Sequence, residues 1–210
     1  MSDITTRPPD QVEGRSLRRA GLLTIAGAVL MPLAGATLGS VTTNDGAGTW
    51  ADPIQPSAFL WMSVGLAIGH LLVMVGYLEV GRRSDGIAAS FARLGALGTG
   101  LVAGVEIWSG ALARTDVDSA AVTWLEVGYL ITSILIVVGT LGAGVALLAT
   151  GSRLAMPLIV NGAVLLLFIP LRFLAADADD GIVIATLSIW SLLYVWLGVR
   201  LGVRRSAGRQ

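Results

Sequence analysis

Four ionisable side chains stand inside long apolar runs of this chain: His70, Glu106, Glu126 and Arg172. A charged group near the middle of a bilayer costs about 2.5–3.5 kcal/mol on insertion scales, so such residues are by default pointers to function. A carboxyl at that depth must be neutral, paired or in contact with water, and Glu106 has Arg172 and His70 as prospective partners. The chemistry open to the set is proton exchange or cation pairing at Glu106, charge balance by Arg172 and hydrogen bonding by His70. Glu126 is shallower and can also reach the headgroups. Arg172, close to the end of its run, reads first as an arginine snorkelling to the interface, with counter-ion to Glu106 or clamp for an anionic group as its alternative. His70 with Glu106 and Glu126 would satisfy metal-ligand chemistry, but no closely spaced motif supports that, and neither metal nor cofactor is expected.

Helical spacing then aligns these groups with others. Ser63, His70 and Tyr77 recur every seven residues and share a face. Glu126, Tyr129, Ser133 and Thr140 form one stripe, and Ser188, Ser191 and Tyr194 another. Asn161 and Arg172 are eleven residues apart, close to three turns, and point alike. Glu106 lies on the side of Gly95, Thr99, Ala103 and Gly110, away from the small-residue ridge Ala92, Ala96, Gly100 and Gly104. The expected arrangement is a polar chamber open toward the outer side, with lipid-facing surfaces left apolar. Its expected lining is Glu106, Glu126, Arg172, His70, Tyr129, Trp108 and Asn161. Trp108 and Trp196 are placed deep enough to line or pack that chamber. Trp61, Trp124 and Trp190 fall near the outer ends of their runs, as interfacial anchors do, and Trp50 falls in the first outer connection.

The elements that must carry these residues follow from composition. Of 210 residues, 54% are hydrophobic and only 13% charged, against roughly a quarter charged in soluble domains. A bilayer crossing needs about 20 apolar residues at 1.5 Å rise each. Six segments qualify: Ala20–Ser40, Ser57–Val80, Ala88–Ala113, Ala121–Thr150, Leu154–Leu174 and Ile182–Val203. The fold class is all-α, a polytopic transmembrane bundle of six spans. Residues 1–19 form a cytoplasmic lead, 20–203 the single membrane domain and 204–210 a cytoplasmic tail. Arginines cluster before the first span, around 82–93, at Arg153 and in the tail, while aspartates dominate the opposite connections. The positive-inside rule therefore puts both termini in the cytoplasm of a cell (inner) membrane protein. The Ala34-Gly35-Ala36 string after an apolar stretch also suits signal-peptide cleavage, but the run is long for that and contains Pro32. Small-residue spacings, Gly35-xxx-Gly39 and Gly65-xxx-Gly69 among them, suit close helix packing.

The inventory excludes much. All fourteen basic residues are arginine, so no lysine can form a Schiff base. Cysteine is absent, which removes disulfides and thiolate metal sites, and one histidine cannot make a bis-histidine haem within one chain. Net charge is zero, with no basic tract of the kind that binds nucleic acid. The acidic clusters Asp177-Ala178-Asp179-Asp180 and Asp116-Val117-Asp118 lack calcium-loop spacing. Ser109-Gly110 has no second base to activate it, and no phosphate, dinucleotide or zinc motif occurs.

The six-span layout, arginine-flanked turns and the segment Ile189-Trp190-Ser191-Leu192-Leu193-Tyr194-Val195-Trp196-Leu197-Gly198 resemble uncharacterised integral membrane proteins of GC-rich bacteria. The resemblance covers layout along most of the chain and specific residues only in the last span. It implies a fold type and no activity. Three functions remain open: a small permease or ligand-binding protein for a small organic or lipid-like molecule, an accessory or structural subunit, and a lipid or isoprenoid enzyme using Glu106 or Glu126 as general acid. The partners expected are the lipid bilayer, that ligand and further copies of the chain.

Overall fold

Each apolar run becomes one helix, because a backbone in hydrocarbon must satisfy its own hydrogen bonds. The computed structural model describes the backbone of residues 9–44, 47–174 and 180–202, and the side chains of 15–44, 47–168 and 188–202. Its helices are α1 (Pro9–Leu38), α2 (Pro56–Arg83), α3 (Gly86–Ala111), α4 (Ala120–Leu148), α5 (Ala155–Leu174) and α6 (Asp180–Gly202). They match the six expected segments to within a turn, except that α1 begins earlier, at Pro9. Helices α1 (from Arg15), α2, α3 and α4 are long and apolar enough to cross a membrane. The described apolar parts of α5 and α6, Ala155–Phe168 and Ser188–Gly202, are shorter.

Local chemistry sets the boundaries. Pro56 opens α2, where a missing N–H is harmless. Ser119 caps α4 by accepting a hydrogen bond from Val122 N. Gly151, at φ +65°, ends the α4 exit turn, with Gly151 N bonding Leu148 O and Ser152 N bonding Leu147 O. Such a reversal requires the left-handed conformation that glycine tolerates. Pro32 remains inside α1 and does not end it.

Consecutive helices are neighbours, α6 closes against α1, and α2 meets α6 across the middle, so the chain forms a closed ring of helices. The start of α1 and the end of α6 lie together: a Cβ on Gly21 would come within 2.9 Å of Gly202 N. Both ends of the described chain are therefore at one end of the bundle. The closest contact between neighbours is α3 against α4, where a Cβ on Gly139 would lie 2.5 Å from Gly95 Cα. The expected ridge on α3 is only partly used. Ala92 and Ala96 are buried, whereas a Cβ on Gly104 would meet nothing within 4 Å. Gly100 meets Met74 of α2, and Gly95 and Gly98 make a second tight approach, to α4. Gly65 and Gly69 seat α2 on Ala34 and Met31 of α1, while Gly35 meets nothing within 4 Å.

The distribution of polarity is the reverse of a soluble protein. Leu22, Leu33, Ile68, Leu97, Ile131, Val145, Leu166 and Leu192 face outward. Ser63, His70, Thr99, Glu106, Thr140, Asn161 and Ser191 are buried. An apolar exterior around polar interior groups fits lipid as the solvent. The half of the ring nearer the chain ends is closed by Val80, Leu147, Leu158, Leu197 and Leu201. The buried ionisable pair, His70 with Glu106, lies toward the other half.

Candidate functional site

At the end away from the termini, the α1–α2 connection folds over the bundle. Thr43 N bonds Pro53 O and Gln55 N bonds Val41 O, drawing the segment into a narrow loop. Trp50 N bonds Thr115 O, Ala51 N bonds Ala113 O and Val117 N bonds Gly48 O, which tie it to the α3–α4 connection. The Trp50 indole donates to Ser109 Oγ at 2.8 Å. Ser109 is thus a structural acceptor one turn beyond Glu106, and the described residues of the turn-rich outer segment, 42–44 and 47–56, are a folded cover.

Beneath it lies the central cluster. Gly110 of α3 packs tightly against Leu60 and Ser63 of α2, where an added Cβ would lie 3.0 Å from each. That register carries Glu106, one turn deeper, toward His70. Glu106 Oε1 lies 3.9 Å from His70 Nε2, beyond hydrogen-bond length yet close enough for charge coupling. Its Oε2 accepts from the Tyr129 hydroxyl of α4 at 3.0 Å. Three helices therefore contribute an imidazole, a carboxyl and a phenol to one point.

A second layer comes from α5 and α6. Trp190 stacks obliquely on His70, ring centres 5.8 Å apart, and its N–H donates to Asn161 Oδ1 at 3.2 Å. Tyr194 follows, 5.1 Å from Trp190, and meets Tyr77 edge-on at 6.1 Å. The Tyr77 hydroxyl lies 2.9 Å from Thr140 Oγ1 and 3.4 Å from the Tyr194 hydroxyl. Among the described residues, three polar atoms in this interior are buried without a hydrogen-bond partner: Ser63 Oγ, His70 Nδ1 and Asn161 Nδ2. Buried polar groups are nearly always paired, so such atoms call for a ligand or water.

The expected lining is thus sorted. His70, Glu106 and Tyr129 come together, and Asn161 joins them through Trp190. Glu126 faces outward and stands apart, even though Tyr129 of the same stripe faces in. Among the described residues no three His, Asp or Glu side chains converge as metal ligands would. Trp108 is 40% exposed and lies outside the interior, against Gly128. The Arg172 side chain lies outside the described residues. Trp190 requires a correction: expected as an interfacial anchor, it is an inner wall, whereas Trp61 and Trp124 do face outward.

Glu79 escaped the sequence reading. It lies 5% exposed near the terminal end of α2, accepting from Arg83 Nε at 2.7 Å and from Ser16 Oγ at 3.2 Å. The signal was available in the Glu79–Arg83 spacing, an i,i+4 pair.

No protein-family model, curated protein or solved structure matches this chain.

Proposed function

We propose that the chain is a small multi-pass inner-membrane protein that binds a small organic or lipid-like molecule in its polar interior and, as a permease, carries it. In this reading all six helices span the bilayer with both termini cytoplasmic. Exposed Arg15, Arg18, Arg19, Arg82, Arg93 and Arg200 at the terminal end support that orientation, as do exposed Asp52, Asp116 and Asp118 against Arg114 at the opposite end. The chamber then opens outward beneath the Trp50 loop.

The observation that carries the reading is the set of buried atoms unpartnered among the described residues, Ser63 Oγ, His70 Nδ1 and Asn161 Nδ2, in an interior that also holds a buried carboxyl, Glu106 next to His70. A purely structural pair would be expected to satisfy its surroundings, since an orphaned polar atom costs about 1–3 kcal/mol. Glu106 acts as proton acceptor or cation partner, and Tyr129 fixes the orientation of its carboxyl.

Native mass spectrometry of gently extracted wild type and Glu106→Gln tests this. The expected result is a defined small molecule released from wild type and missing from a folded Glu106→Gln. Empty wild-type protein, or equal occupancy in the two, would remove the chamber and leave an accessory role in a membrane complex.

A further inference from the structure

The chemical class of the ligand can be read from the orphaned atoms, an inference that rests on the binding site just proposed. An indole N–H can only donate, so the Asn161 atom 3.2 Å from Trp190 Nε1 is the carbonyl oxygen. The amide orientation is thereby settled, and Asn161 presents its Nδ2 donors unpaired in a fully buried position. The same indole also lies against His70, ring centres 5.8 Å apart, whose Nδ1 is unpaired among the described residues while its Nε2 is turned to Glu106. Two helices, α5 and α2, thus hold unsatisfied nitrogen groups around one aromatic wall.

A donor such as Nδ2 asks for an oxygen acceptor. An anionic acceptor would share the interior with the Glu106 carboxyl, which would oppose it. An organic cation would suit Glu106 and the rings but would leave the Asn161 donors unmet. Trp190 and Tyr194, ring centres 5.1 Å apart, form an aromatic wall beside these groups, and a planar body is the shape such a wall favours. We infer that the site takes an uncharged molecule with a carbonyl oxygen, that oxygen held by Asn161 Nδ2 and its planar body lying along Trp190 beside His70.

His70 is the only histidine, so nitrogen-15 histidine labelling reports one imidazole. The full chain, reconstituted in bilayers, is titrated with acetophenone, an uncharged aryl ketone, and separately with benzyltrimethylammonium and benzoate. Saturable movement of the His70 nitrogen signals is expected with the ketone and not with either ion. In Asn161→Leu the apparent affinity for the ketone should fall by about tenfold, the loss of one hydrogen bond. The His70 spectrum of that variant without probe shows whether its fold is kept, and the three-probe comparison on wild type stands independently of it. No saturable response to the ketone, a stronger response to either ion, or undiminished binding by a folded Asn161→Leu would overturn the inference. If wild type still released a ligand in the mass spectrometer, only the carbonyl class would fall; if it released none, the site itself would fall.

Discussion

Replacing Gly139 by alanine should break the α3–α4 contact on which the central cluster depends. A methyl there would lie 2.5 Å from Gly95 Cα and 2.8 Å from Phe91 O, and would collide with Gly95 N. Carbon atoms pack at about 3.5–4.0 Å, so the helices must part by about 1 Å. The obstructing atoms are backbone, which no rotamer change can move. Overpacking of this kind costs about 1–3 kcal/mol. Gly104→Ala is the matched control, because nothing lies within 4 Å of its new methyl. It should be neutral or gain up to about 1 kcal/mol from helix propensity. Unfolding of the two variants and wild type in mixed micelles, followed by helical circular dichroism, measures both. Because Glu106 and Tyr129 sit on the helices that part, Gly139→Ala should also weaken ligand retention. Equal stability of Gly139→Ala and wild type, or a larger loss in Gly104→Ala, would refute the packing described.

Three further outcomes are expected. Trp50→Phe and Ser109→Ala each remove the same hydrogen bond, so each should loosen the outer loop by about 1 kcal/mol and the double variant little more; hydrogen exchange at Trp50 and Val117 reads this. Tyr129→Phe deletes the only phenol donating to Glu106 Oε2 among the described residues and should cost about 1–2 kcal/mol while reducing ligand retention in native mass spectrometry. Glu79→Gln weakens the link from Ser16 to Arg83 and should lower stability by about 1–2 kcal/mol, less than a fully buried pair because the Arg83 side chain is 25% exposed. Ligand retention in that variant should be unchanged.

The helices were legible because bilayer-length apolar runs admit few other structures, and interior faces were legible where a stripe is long. Ser63, His70 and Tyr77 all face in, as their seven-residue repeat implies. Glu106 was likewise placed on the correct side of α3. Stripes fail at their ends: Tyr129 faces the interior while Glu126, less than one turn away, faces outward. Depth misled for Trp190, since a tryptophan near a span end satisfies both an interfacial and an interior role. Its hydrogen bond to Asn161 depends on how α5 meets α6, which single-helix periodicity does not encode. The α3 ridge is packed over Ala92, Ala96 and Gly100 and open at Gly104, and a second face carries Gly98: small residues permit close approach on two faces, and the neighbours decide which is used. Glu79 was not legible as a buried group because it stands near the end of its apolar run beside Arg82 and Arg83, where a carboxyl ordinarily reaches solvent.

The convergence of α2 and α3 on one His70–Glu106 pair is the claim most directly open to measurement. The chain has a single histidine and four glutamates, Glu13, Glu79, Glu106 and Glu126. Solid-state magnetic resonance on bilayer samples, with nitrogen-15 histidine and carbon-13 labelled glutamate carboxyls, measures their dipolar coupling. With Oε1 3.9 Å from Nε2, a coupling between the imidazole and one carboxyl carbon should be observed, and it should vanish in Glu106→Gln. An imidazole without any carboxyl nearby, or a coupling that survives Glu106→Gln, would contradict the site.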